Sequence, residues 1–233
     1  MKNADLENYR AVQGAARRVL EELKGAIAAD STEESIAGFA SDRLADLGFP
    51  DTWYHSCPAL VLAGSRTSLS LSGRDYIPNK KPIGVETVVT VDLSPCKGKF
   101  WGDCARSFLV EGEKVSDTST RLSYRRGMET QRLLHAEMKS FVSPKIRFNE
   151  LYEFINAKIA ALGFVNLDYL GNVGHSIAED LDSRVFIDAY NLQPISSVQC
   201  FTFEPHIREV DGVFGYKHEN IYYFDDIGEL TEL

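Results

Sequence analysis

Apolar residues in the first 48 positions recur with the period of an α-helix. Leu6, Tyr9, Val12, Ala16, Val19, Leu20 and Leu23 form one stripe, and Gly25 is the expected stop. Ile36, Phe39, Ala40, Leu44 and Leu47 form a second. Ser31-Thr-Glu-Glu34 offers that helix a cap with an acidic first turn, and Gly48 a terminator. The period then shortens to strand-like runs at Ala59–Ala63, 85–93 and 100–110. The order repeats downstream. A helical segment is expected over 116–140, followed by a stripe at Leu151, Phe154, Ile155, Ile159 and Leu162 that ends at Gly163. Strands are expected at 198–207, 213–216 and 219–224.

The second stripe repeats the first at a constant offset of 115 positions, from Ile36 to Leu151 through Gly48 to Gly163. The endings Leu44-Ala-Asp-Leu-Gly-Phe49 and Ile159-Ala-Ala-Leu-Gly-Phe164 are nearly identical. An internal duplication explains both facts better than two unrelated amphipathic helices. We therefore expect one α+β domain spanning 1–233, with helix-helix-strand halves of about 1–112 and 113–233. The helices should lie outside a curved, mainly antiparallel sheet.

Asp and Glu are disfavoured in strands, yet four of them sit on these apolar segments. They are Asp92 (Val-Thr-Val-Asp92-Leu), Asp103 (Trp-Gly-Asp103-Cys), Glu204 (Phe-Thr-Phe-Glu204-Pro) and Glu219 (Lys-His-Glu219-Asn). Singly, an Asp at a strand end is ordinarily a turn or cap residue. Here the residues come in pairs. Asp92 and Asp103 flank a turn at Pro95-Cys-Lys-Gly-Lys99, with arms at 86–92 and 99–103; Glu204 and Glu219 flank a second turn at 210–215. His175, in Gly-Asn-Val-Gly-His175-Ser, lies between the two pairs. Burying four carboxylates is costly without compensating charge, and two divalent cations would supply it. Oxygen ligands with one imidazole suit Mn, Co, Fe or Zn at a hydrolytic centre.

Composition narrows the partners. Charged residues at 25% and hydrophobic residues at 44% are ordinary for a soluble globular protein. A net charge of −9 argues against nucleic acid, which asks for a basic footprint, and against an anionic membrane surface. No apolar run has transmembrane length, and Met1-Lys-Asn-Ala-Asp-Leu-Glu7 lacks the apolar core of a signal peptide. Cys57, Cys96, Cys104 and Cys200 are scattered, so reduced thiols and a cytoplasmic location are expected. Self-association into a homodimer stays open.

The order Asp, Asp, His, Glu, Glu in these contexts resembles the pita-bread metallopeptidase superfamily of methionine aminopeptidases, Xaa-Pro peptidases and creatinase. The resemblance runs from the Tyr9-Arg10 helix to about Tyr223. Its most specific parts are Val91-Asp92-Leu93, Gly102-Asp103 with Arg106-Ser107-Phe108, Gly174-His175 and Phe203-Glu204-Pro205. It implies two divalent ions, with Asp92 chelating one, Asp103 and Glu219 bridging both, and His175 with Glu204 on the other. It also implies a peptidase of aminopeptidase or Xaa-Pro type acting on small peptides. At 233 residues, the extra N-terminal domain of prolidases and creatinase is not expected.

Two features depart from that pattern. Active members usually carry a His on the segment before the first Asp, but 62–91 holds none, and Pro78-Asn79 stands about where Pro-His would be. A second His about seven residues past the ligand His is replaced by Asp182. Slow cleavage of ordinary methionyl or prolyl peptides, or preference for a different substrate, is expected. Glu204 is the candidate proton shuttle, and His206, two residues on, is the candidate to supply the lost hydrogen bond. The alternatives are a pita-bread binding protein that has lost catalysis, and a creatinase-like hydrolase of a non-peptide C–N bond.

Overall fold

In the computed structural model, which describes residues 3–233, each half opens with two helices and continues into antiparallel strands. The first half contains α1 (Asn3–Ala26), α2 (Glu33–Asp46), β1 (Asp51–Thr52), β2 (Ala59–Ala63) and β3 (Glu86–Leu93). It continues with β4 (Pro95–Lys97), β5 (Phe100–Trp101), β6 (Cys104–Glu111) and β7 (Lys114–Ser116). The second contains α3 (Leu122–Phe141), α4 (Phe148–Ala161), β8 (Phe164–Asn166) and β9 (Phe201–Phe203). Its last strands are β10 (His206–Glu209), β11 (Gly215–Lys217), β12 (Asn220–Phe224) and β13 (Leu230–Glu232).

The repeat is visible in the helix ends. Leu47 and Leu162 cap α2 and α4 with nearly the same φ (−81° and −84°), and each donates its N–H to the carbonyls two and four residues back. Gly48 and Gly163 follow at φ +89° and +82°, the left-handed step that lets the chain turn toward Phe49 and Phe164. At the other end, Thr32 and Ser35 form the capping box expected from Ser31-Thr-Glu-Glu34. In α4, Glu150 instead accepts from the Arg147 N–H at 2.8 Å.

Several expected boundaries move, each because a tertiary contact outweighs a local signal. α1 runs through Gly25, because Leu23 and Ile27 are both buried in the first-half core. Ser116, expected to begin a long helix, instead ends the hairpin strand β7 paired with β6, and α3 starts at Leu122. The expected continuous strand at 100–110 is broken at Gly102-Asp103, and the one at 198–207 at Glu204-Pro205. The strand expected at 213–216 is Gly215–Lys217, and Glu219 lies just outside β12.

Among the described residues the strands form four short sheets, and every pairing within them is antiparallel. The breaks fall at the carboxylates. β2-β3-β6-β7 forms the largest sheet and packs against α1 and α2 through Val61, Val89, Val91, Leu93 and Phe108. The second-half core gathers Leu134, Phe148, Leu151, Ile155, Phe201 and Phe203 between α3, α4 and the strands. No helix among the described residues is long and apolar enough to cross a membrane.

Candidate metal centre

Strand alternation selects which residues of β3 reach the centre. Val89, Val91 and Leu93 enter the core, so Thr90 and Asp92 point the opposite way into a cleft of about 560 Å³. The expected Asp hairpin is present, with Asp92 opposite Ala105 and Leu93 opposite Cys104. Its tip is a smaller hairpin, β4-β5, turning at Gly98-Lys99. Asp103 occupies the break between β5 and β6. Its N–H donates to Gln13 Oε1 at 2.8 Å, and its carbonyl accepts from Gln13 Nε2 at 2.9 Å. A fully buried Gln13 on α1 thus fixes the backbone that carries Asp103.

The second carboxylate pair is built the same way. Phe203 pairs with Asn220 and His206 with Lys217, so the register carried through the break sets Glu204 opposite Glu219. The two hairpins then join edge to edge. Glu219 N–H donates to the Ala105 carbonyl at 3.0 Å, and Ser107 Oγ accepts from Lys217 N–H (2.9 Å) and donates to its carbonyl (3.0 Å). Arg106 Nη1 clamps the Glu219 carbonyl at 2.7 Å, and its Nη2 holds Asn220 Oδ1 at the same distance.

His175 arrives on a segment laid beside β9, where Thr202 N–H donates to its carbonyl at 2.7 Å. Gly174 precedes it at φ +152°, and a Cβ there would lie 2.1 Å from the Thr202 carbonyl oxygen. Gly174→Ala should therefore push the His175 segment off β9 and lower the melting temperature; an unchanged thermal transition would refute that steric reading. His175 Nδ1 donates to the Ser176 carbonyl at 2.9 Å, which leaves Nε2 as the lone pair in the neutral ring. Nε2 lies 3.4 Å from Asp103 Oδ2 and 3.5 Å from Glu204 Oε1.

All five expected ligands converge. Ligand atoms of Asp103, His175 and Glu219 lie within 4.8 Å of one another, as do those of Asp92, Glu204 and Glu219. Asp103 Oδ2 and both carboxylate oxygens of Glu219 are buried without a hydrogen-bond partner. Unpaired buried anionic oxygens are costly, and a divalent cation satisfies them directly. The donor set of carboxylates with one neutral imidazole fits such an ion. Burial and the neighbouring acids Asp92 and Glu204 hold the Asp103 carboxyl well above its usual range. Burial and Asp103 do the same to Glu219. Burial lowers His175, keeping it neutral and able to ligate.

Lys217 is the residue that sequence reasoning missed. Its Nζ lies 2.5 Å from Asp92 Oδ2, 2.8 Å from Glu204 Oε2 and 3.6 Å from Glu219 Oε2. Burial opposes its charge, but Asp92, Glu204 and Glu219 outweigh burial and raise its pKa. Burial would likewise raise Glu204, yet Lys217 and His175 pull it down to about 2. The signal was available in principle, because Lys217 stands two residues before Glu219, on the same face of an extended chain.

His206 does line the cleft with Glu204, as the strand period predicts. Its Nε2 donates to the Thr67 carbonyl at 2.7 Å, so Nδ1 remains for anything entering the cleft. Burial and nearby Lys217 lower His206 to about 4. His55, which no motif singled out, also lines the cleft, on a left-handed pair with Ser56 at φ 49° and 56°. The backbone of Asn79, expected near a substrate-contacting position, is tied instead to Glu33 of α2 at 2.8 Å. The lining residue Arg184 lies 5.5 Å from the Trp53 ring and 5.2 Å from that of Phe186. Trp53 in turn stacks on Trp101 at 4.5 Å and donates to the Gly102 carbonyl at 2.9 Å.

The chain is similar to known proteins. The family model of metallopeptidase family M24 matches residues 7–226. No curated protein matches the chain in sequence at a significant level. Among solved structures, the X-Pro aminopeptidase from Thermotoga maritima superposes with a TM-score of 0.82 at 16% identity, over 100% of this chain and 61% of that one. The prolidase from Pyrococcus horikoshii OT3 gives 0.82 at 16% identity, over 99% and 62%. The methionine aminopeptidase from Thermotoga maritima gives 0.78 at 16%, over 100% and 97%. The chain thus spans about six-tenths of the first two and nearly all of the third. At these identities the likeness establishes the fold, the α+β pita-bread architecture.

Proposed function

The chain belongs to metallopeptidase family M24, and from that premise we propose that it is a divalent-metal-dependent hydrolase of short peptides, of aminopeptidase or Xaa-Pro peptidase type. The observation that carries this reading is the set of buried, unpartnered oxygens on Asp103 and Glu219 beside the free Nε2 of His175. Asp103, His175, Glu204 and Glu219 would hold a metal ion, and Asp92 completes the set for a second. A bound Mn, Co, Fe or Zn ion would polarise the scissile carbonyl and lower the pKa of the attacking water. A second ion requires the Lys217 ammonium to leave Asp92.

The chain's own residues supply the proton traffic and the positioning. Glu204, at the seam between β9 and β10, takes the proton of the attacking water and passes it to the leaving amine. His206 offers Nδ1 as an acceptor on the same face. Arg184, braced against Trp53 and Phe186, is a fixed donor for a substrate carbonyl or carboxylate. The cleft volume suits a small peptide. All four cysteines are free and buried, which suits a reducing cytoplasm.

The test is a library of short peptides with free N-termini, extended to acylated amines and ureas, cleaved by Mn-, Co- or Zn-loaded protein with and without chelator. Hydrolysis abolished by chelation supports the proposal. A metal-loaded protein that cleaves nothing across the library would favour the second reading, a binding protein on the same fold. The observation favouring that reading is the cation Lys217 already seated among the ligands.

A further inference from the structure

Four carboxylates meet at the centre, and one of the groups neutralising them belongs to the chain itself. Lys217 Nζ contacts Asp92 and Glu204 at hydrogen-bond distance and faces Glu219 at 3.6 Å. It reaches neither His175 nor the unpartnered Asp103 Oδ2 among its contacts. The ammonium therefore occupies the Asp92 side of the centre, and the His175 side is left to Asp103, Glu219 and Glu204 Oε1.

This placement is rigid at its base. The Lys217 backbone is paired on one edge with His206 and on the other with Ser107, whose hydroxyl bonds both its N–H and its carbonyl. The side chain is only 16% exposed. Its two neighbours in the strand sequence, Tyr216 and His218, point away into packed surroundings, Tyr216 in the second-half core and His218 against His135 at 4.4 Å. A side chain held this way has little room to vacate the carboxylates.

Charge then sets the stoichiometry. Two divalent ions would by themselves balance four carboxylates, and a lysine ammonium added between them would face one ion at close range with no anion left to pair it. One divalent ion together with the ammonium leaves every cation in contact with carboxylate oxygen. Like charges at contact distance in a buried site repel strongly, because little solvent screens them. We propose that Lys217 is a built-in cation that takes the place of the Asp92-side metal, so that the protein binds a single divalent ion, at His175, Asp103, Glu204 and Glu219. The proposal rests on the metal-binding reading above and specifies its number and position. Asp92 is then an anchor for the lysine, and Glu204 is shared between the ammonium, through Oε2, and the ion, through Oε1.

The experiment is Mn²⁺ titration of the full chain by calorimetry with metal analysis of the saturated protein, for the unmodified protein, Lys217→Met and Asp92→Asn. One ion per chain is expected for the unmodified protein, two for Lys217→Met, and one for Asp92→Asn with affinity changed less than about tenfold. Two ions in the unmodified protein would overturn the proposal and leave the metallohydrolase reading intact. No bound ion would overturn both. One ion in Lys217→Met, or loss of the ion in Asp92→Asn, would show that the lysine is not what excludes the second. Should Lys217→Met fail to fold, electron paramagnetic resonance of the Mn²⁺-saturated unmodified protein decides. The six-line spectrum of an isolated ion is expected, and an exchange-coupled pair would refute the assignment.

Discussion

Replacing Glu204 with Gln will leave the protein folded and able to bind metal, and will lower turnover on any substrate it cleaves by about 10²–10⁴-fold. The amide keeps an oxygen for the ion and nearly the same volume, so packing between β9 and β10 is conserved. It cannot accept a proton from water, and a general base is worth about that factor. The Lys217 Nζ contact at 2.8 Å also weakens, because its partner is no longer an anion. Turnover on the best library peptide, measured with metal saturation checked for each protein, gives the answer. A variant within a few-fold of the unmodified enzyme would remove Glu204 from the proton path.

Replacing Asp103 with Ala will abolish high-affinity metal binding and reverse the sign of the stability effect between conditions. Asp103 and Glu219 are buried; Asp103 raises the proton affinity of Glu219, and Asp92 and Glu204 raise that of Asp103. With chelator present, removing one of these carboxylates relieves repulsion, and the variant should melt no lower than the unmodified protein. With metal at about 100 times Kd, a bound ion stabilises the unmodified protein by about 2.7 kcal/mol. For a chain of this size that is a rise of roughly 5–11 °C in melting temperature. The variant should show none of that rise. Thermal scans of both proteins with and without Mn²⁺ test this, and an equal metal-induced shift in the variant would show that Asp103 is not a ligand.

Local patterns in the chain determined a great deal. Helical period and cap chemistry placed α2 and α4 to within a few residues, because amphipathic stripes and terminal Gly residues act over single turns. Strand-like runs with out-of-place acids marked Asp92, Asp103, Glu204 and Glu219, because a carboxylate on an apolar strand is locally unfavourable unless something else requires it. The Leu44-to-Phe49 and Ile159-to-Phe164 endings disclosed the repeat. The family resemblance then assigned those acids and His175 to one centre.

What the chain could not disclose were the meetings between distant segments. Ser116 carries no local signal against the helix expected from it onward, and pairing with β6 makes it the end of a strand. The breaks at Gly102-Asp103 and Glu204-Pro205 arise where the two hairpins join across β6 and 217–219, a contact more than a hundred residues apart in sequence. The same join decides Lys217. Alternation placed it on the Glu219 face, but whether that face met solvent, core or three carboxylates depended on where β3 and β6 lay. Sequence determined which residues are charged and which face they share. Tertiary structure alone decided which charges oppose one another, because burial and Coulomb energy depend on distance in space.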